Sequence, residues 1–266
     1  MAFDIGSITA KIELNIKDFL NDLEKAKKSA SGLGNGLSKV GDAVTSFAKQ
    51  ASIASAVVGT GLSFFLKDAS QEAANLEKAM ITLDIIAGRF GESGKKAQDT
   101  AKNLAQELKI GVGASAEGLQ NLLKSGLSLD KAADLMKRFT NEAMTGKSPT
   151  ISLSQAVQNL SFAYATNNSA LGNLSGISEN FQDIIDRGRA SLLKQGKAAS
   201  EVTDEMAKYQ GMIELTNLTM GSAERFAGSF IDTQAQLEQG ILKLKIAIGQ
   251  ALNPVLNELI KLVLSS

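Results

Sequence analysis

Two pairs of carboxylates sit at helix-like spacings, Asp183 with Asp186 and Glu72 with Glu77. Two carboxyl groups on one helix face are the arrangement that could relay a proton in general acid–base chemistry. The rest of the inventory argues against it, because the 266 residues include no histidine and no cysteine. Without histidine the commonest general base, the serine-histidine-acid triad and the commonest metal ligand all go together. Without cysteine there is no thiolate nucleophile, no disulfide and no zinc site with sulfur ligands. Both carboxylate pairs therefore read as solvated helix faces. Gly146, Lys147 and Ser148 match the end of a phosphate-binding loop, but Asn141 stands where its first glycine belongs. Pro149 follows at once, where such a loop would run into a helix with free N–H groups. Gly111, Gly113 and Gly118 have the wrong spacing for a dinucleotide fingerprint and read as a helix-to-helix loop. The sequence thus predicts no enzyme, no cofactor and no metal.

The elements that carry these residues follow from composition. Hydrophobic residues make up 44% of the chain, yet aromatics only 5%, and there are two prolines and no tryptophan. Small apolar residues with so little proline favour long helices over a sheet. The 28 basic and 28 acidic residues cancel, so no net field draws the chain to nucleic acid, and no specific nucleic-acid partner is expected. Met1 to Thr9 has neither the basic nor the apolar stretch of a signal peptide.

The predicted fold is mainly α: a short N-terminal β-strand, then a multi-helix domain, then a long C-terminal amphipathic helix. Ser7 to Lys17 alternates strictly, with Ile8, Ala10, Ile12, Leu14 and Ile16 on one face, as a half-buried strand does. No second strong strand appears, so these five residues are the candidates for pairing with a strand of another copy or another protein. Asp18 then caps a helix that ends near the glycine cluster Gly32, Gly34, Gly36. Helical periodicity predicts helices at Val40 to Val58, Leu62 to Ala87, Lys95 to Leu108, Ala116 to Lys124, Leu129 to Met144, Leu153 to Tyr164, Ser178 to Lys194 and from Ser200 onward, with a break near Met220-Gly221. Ser152 with Gln155 fits a capping box, and Ser128 precedes another helix start. Gly126, Gly146, Gly172, Gly176, Gly196 and Gly221 fall between the runs. The expected organisation is 1–36 as strand, helix and joint; 37–221 as a helical domain; and 222–266 as a long amphipathic helix beginning a shaft. Because its apolar faces are rich in alanine, the helical domain is expected to be modestly stable.

Two stretches suggest partners. Gln50 to Leu66 is uncharged for seventeen residues, with Ile53, Val57, Val58, Leu62, Phe64, Phe65 and Leu66 as candidate membrane contacts. A membrane span needs about 20 predominantly apolar residues, and the Ser and Thr content equally fits a closely packed helix hairpin. Near the C-terminus, Leu237, Ile241, Leu244, Ile248, Ala251 and Val255 follow a coiled-coil seam. Leu242, Ile246, Gly249, Leu256 and Ile260 form a second seam. Two seams suit self-association in a bundle of three or more chains, or one seam on the chain's own domain and one on a partner, while an ordinary amphipathic helix would fold back on its own chain. Pro254 removes a helical hydrogen bond, which makes Asn253-Pro254 a candidate joint.

The order of these features resembles the N-terminal region of phage tail tape-measure proteins. The resemblance runs through SITAKIELNIKDFLNDLEKAKKSASGLG (Ser7 to Gly34), KDASQEAANLEKAM (Lys67 to Met80) and LLKSGLSLDKAADLMKRFTNEA (Leu122 to Ala143). Its most specific part is GSAERFAGSFIDTQAQLEQGILKLKIAIGQALNPVLNELI (Gly221 to Ile260), with an Ile-Gly pair at Ile248-Gly249 followed by Leu252-Asn253-Pro254. The resemblance implies a virion structural protein that sets tail-tube length during assembly and leaves ahead of DNA at infection. It also implies partners: the tail-tube protein, tail assembly chaperones, other copies of itself and a transient host-membrane contact. The expected location is the lumen of the tail tube, after synthesis in the bacterial host cytoplasm, whether of a phage or a prophage. Members of the family are usually several times longer, and a fully helical chain of this length would reach only roughly 400 Å. The ending KLVLSS, inside an apolar run without a cap, suggests truncation: a fragment, a split gene product or a decayed prophage remnant. Two other readings stand beside this one: a helical membrane-active or pore-forming protein using residues 50–66, and a tail assembly chaperone.

Overall fold

The computed structural model describes residues 61–229, 235–236, 238–243, 245–250 and 253, with side chains from Asp68 onward. The expected strand, with Ile8, Ala10, Ile12, Leu14 and Ile16, lies outside the described residues. So do the glycine joint, the helix Val40 to Val58, and Ile53, Val57 and Val58. Leu237, Leu244, Ala251, Pro254 and Val255 also lie outside them. The described residues are mainly helical, with no strand among them. They belong to two compact units: one takes the residues up to Glu77 and from Gly240 on, the other is Lys78–Gln239.

The helices are α1 Gly61–Arg89, α2 Gly94–Glu107, α3 Val112–Lys124, α4 Leu129–Gly146, α5 Leu153–Thr166, α6 Ser169–Ser175, α7 Phe181–Lys194, α8 Asp204–Thr216 and α9 Ser222–Arg225. Most begin at a side-chain cap that relieves one of the orphan N–H groups of the first turn. The Ser128 side chain accepts from Lys131 N, and that of Ser152 accepts from Gln155 N. The capping box at Ser152 is only half made, because the Gln155 side chain bonds Asn159 one turn on instead of reaching back. Gly126 closes α3 in a left-handed conformation, with Leu127 N donating to Leu122 O at 3.4 Å and Gly126 N to Leu123 O at 3.0 Å. That pair of bonds is a Schellman ending, and buried Leu127 supplies its apolar contact.

Four expectations need correction. α3 starts at Val112, capped by Gly111, so Gly113 and Gly118 lie within a helix and not in a loop. α7 starts at Phe181, because Asn180 caps it through Gln182 N, three residues past the expected Ser178. Gly172 does not separate two helices; it lies inside α6, a short helix that periodicity cannot register over seven residues. The run expected from Ser200 begins at Asp204 on the Thr203 cap and ends at Thr216. Its break at Gly221 is present, with φ of 82°. Leu62, Phe64, Phe65 and Leu66 fall on α1, which with the other described helices is not long and apolar enough to cross a membrane.

In the Lys78–Gln239 unit, α5 packs on α3, α4 and α6, and α7 on α8. Leu119, Leu122, Leu123, Leu135, Met136, Phe139, Leu160, Tyr164 and Phe181 are fully buried at its centre. Each such side chain contributes roughly 1.5–3 kcal/mol by leaving water. Alanines such as Ala97, Ala101 and Ala132 fill the rest of the buried faces.

Candidate functional site

The residues with possible chemistry do not converge. Asp183 and Asp186 are exposed on α7, where Asp186 merely accepts from Gln182 Nε2 at 3.0 Å. Glu77 is exposed on α1 and Glu72 only partly covered. Gly146 ends α4, and the Lys147 ammonium donates to the Ile151 carbonyl at 2.8 Å. Ser148 N donates to the Leu174 carbonyl on α6, so that amide is taken by the chain itself. Among the described residues no three His, Cys, Asp or Glu side chains are grouped as a metal site.

Two arrangements stand out, one in each unit. In the first unit the described C-terminal residues lie on the start of α1. Gly249 meets α1 so closely that a Cβ on it would sit 1.9 Å from the Ala69 carbonyl oxygen and 2.7 Å from the Ala73 Cβ. Lys245 forms an ion pair with Asp68. Asn253, helical in backbone, donates through Nδ2 to the Ser70 carbonyl at 3.4 Å, and the Ser70 hydroxyl donates to Asn253 Oδ1. Of the expected first seam, Ile248 is buried at 1% exposure while Ile241 is 45% exposed. From the second seam Gly249 is buried, and Leu242 and Ile246 are partly covered. The face turned to α1 is thus centred on Ile248-Gly249, where both seams meet.

In the second unit a polar stripe runs along α4. The Tyr209 hydroxyl donates to Asp134 Oδ2 at 3.3 Å, and Arg138 Nε donates to the same oxygen at 2.8 Å. Arg138 Nη1 donates to the Asn217 side-chain oxygen at 2.8 Å, to Thr216 Oγ1 at 3.3 Å and to the Ile213 carbonyl at 3.4 Å. The Thr219 hydroxyl donates to Glu142 Oε1 at 2.5 Å, and Ala223 N to Asn141 Oδ1 at 2.9 Å. Burial pushes the Glu142 carboxyl above the usual glutamate range, against the pull of the Thr219 hydrogen bond. Burial and then the Asp134 charge raise the Tyr209 phenol. Across α8, the Lys208 ammonium donates to the Tyr164 carbonyl and to Asn167 Oδ1, both at 3.0 Å, and lies 4.7 Å from the Tyr164 ring centre. Desolvation lowers its pKa, partly offset by Glu205 and Asp204.

Periodicity missed this stripe because Asn141 and Glu142 are polar residues on a buried face. The available signal was Asp134, Arg138, Asn141 and Glu142 at i, i+4, i+7 and i+8, one stripe of a helix. Nothing in one sequence says that the partners lie 75 to 82 residues further on. What the arrangement does is fasten α4 to α8, to the turn after it and to α9. No family model matches the chain, and no curated protein or solved structure matches it either.

Proposed function

We propose that this chain is a non-enzymatic structural protein of a phage or prophage-derived tail, equivalent to the head portion of a tape-measure protein. The reading rests on the sequence resemblance, and one structural observation supports it. Two of the segments that carry the resemblance, about 180 residues apart in sequence, pack together: Asp68, Ala69, Ser70 and Ala73 against Lys245, Gly249 and Asn253. The Ile-Gly pair thereby has a physical task, since only glycine lets the two helical backbones approach so closely. In this account the chain lies in the tail-tube lumen with other copies of itself, and its partners are the tail-tube protein and the assembly chaperones. The C-terminal segment, carrying exposed Ile241, is the self-association surface.

The test is mass spectrometry of purified tails. Finding the polypeptide within finished particles supports the reading. Its loss from finished particles points to an assembly chaperone, and leakage of lipid vesicles by the purified chain points to a membrane-active protein.

A further inference from the structure

The break between α8 and α9 is held from outside. An interrupted helix leaves carbonyls at one end and amides at the other without intrahelical partners. Here α4 reaches both sides of the break: Asn141 accepts from the Ala223 amide, and Arg138 donates to the Ile213 carbonyl, which also accepts from the Asn217 amide. Gly221 stands at the N-cap of α9 and has no side chain to offer, so Asn141 does the work of an N-cap from another helix. Glu142 holds the turn between them through Thr219. At the tip of the turn Leu218 is 91% exposed. The distortion is small, because Asn217 keeps right-handed helical angles and Gly221 is the one residue between the two helices with positive φ.

The geometry points to residues 217–221 as a helix switch, bent while Arg138, Asn141 and Glu142 clasp it and continuous from 204 to 225 when they let go. Rotating Gly221 out of its left-handed conformation is open to glycine without steric cost. In the straight form the amides of Leu218, Met220 and Gly221 bond the carbonyls of Glu214, Thr216 and Asn217 within the helix. The bent form keeps Ser222 buried and Ala223 and Phe226 against the core, and the clasp adds to that margin. Any partner that binds the straight form better shifts the balance by its difference in affinity. This inference uses contacts within the Lys78–Gln239 unit and does not depend on the tail assignment.

Amide hydrogen exchange on the full chain, read at Met220 and Gly221, tests it. Two variants are compared with the parent: Asn141→Ala with Glu142→Ala, and Gly221→Ala. The second places a Cβ on a residue with φ of 82°, where no atom lies within 3.8 Å, so its strain is backbone strain alone. Protection at both amides is expected to rise at least about tenfold in each variant, with more helix by circular dichroism. Should the double variant unfold, Gly221→Ala decides. Unchanged or faster exchange at the two amides of Gly221→Ala, with its thermal transition intact, overturns the proposal.

Discussion

Gly188 and Gly211 meet backbone to backbone where α7 crosses α8. A Cβ on Gly188 would sit 1.9 Å from the Ala207 carbonyl oxygen and 2.4 Å from the Gly211 nitrogen, and one on Gly211 would sit 1.9 Å from the Ile184 carbonyl oxygen. Backbone atoms cannot swing aside as a flexible side chain can, so a single methyl group must push the two helices apart. Gly188→Ala and Gly211→Ala are each expected to lower stability by about 3 kcal/mol, at the upper end of overpacking costs. Gly113→Ala serves as the control, since open space surrounds that helical position and it should gain roughly 0.5–1 kcal/mol from lower unfolded-state entropy. Urea unfolding of the three variants checks this; stable Ala variants at 188 and 211 would contradict the crossing.

Lys208 closes the C-terminal end of α5. Lys208→Met keeps the aliphatic stem but removes the donor to the buried Tyr164 carbonyl, at an expected cost of about 1–2 kcal/mol. Lys131 also lies over a tyrosine ring, 4.9 Å from the centre of Tyr209, but it is exposed to water. Lys131→Met should change stability by less than about 0.5 kcal/mol, because exposed cation–π contacts are weak. A Lys208→Met variant as stable as Lys131→Met, within about 0.5 kcal/mol of the parent, would show that the buried hydrogen bonds carry nothing.

Glu142 sets a pH dependence whose sign follows from its raised pKa. Its contribution to stability is fully present below the ordinary glutamate value of roughly 4.3 and is lost as pH rises through the higher folded-state value. Glu142→Gln keeps an oxygen to accept from Thr219 and removes the charge. The variant should match or exceed the parent in stability at pH 7, and its advantage should shrink as pH falls below that window. Denaturant titrations at several pH values measure it, and a variant that loses stability most at pH 7 contradicts the assignment.

Ser70 and Asn253 are within hydrogen-bond reach through both side chain and backbone. The chain has no cysteine of its own, so a Ser70→Cys, Asn253→Cys variant reports cleanly on that contact. Mild oxidation is expected to form one intramolecular disulfide, detected by gel mobility and peptide mapping. A pairing of Ser70→Cys with Ile241→Cys, twelve positions before Asn253 in the sequence, should not cross-link. Failure of the first pair or equal success of the second would undo the packing of the C-terminal segment on α1.

The helical class was legible, and so were the starts of α4 and α5, because Ser128 and Ser152 leave local signals that need no tertiary partner. α6 was not, since seven residues are too few for a 3.6-residue period to declare itself. Gly188 and Gly211 looked like ordinary helical glycines, because a close crossing is a property of two segments and shows in neither alone. Asn141 and Glu142 were hidden for the same reason, their partners lying beyond the reach of any local pattern. Ile248-Gly249 stood out in the sequence as a pair, whereas its seat on Ala69 and Ala73 depends on a contact about 180 residues away.

Tail length tests the central claim most directly. Particles are assembled with the chain carrying an in-frame insertion of about 40 helical residues downstream of Ile260, and their tails are measured by electron microscopy. Each helical residue adds 1.5 Å, so a length-setting protein predicts tails longer by about 60 Å. Tails of unchanged length, from particles shown by mass spectrometry to contain the lengthened polypeptide, would contradict the account.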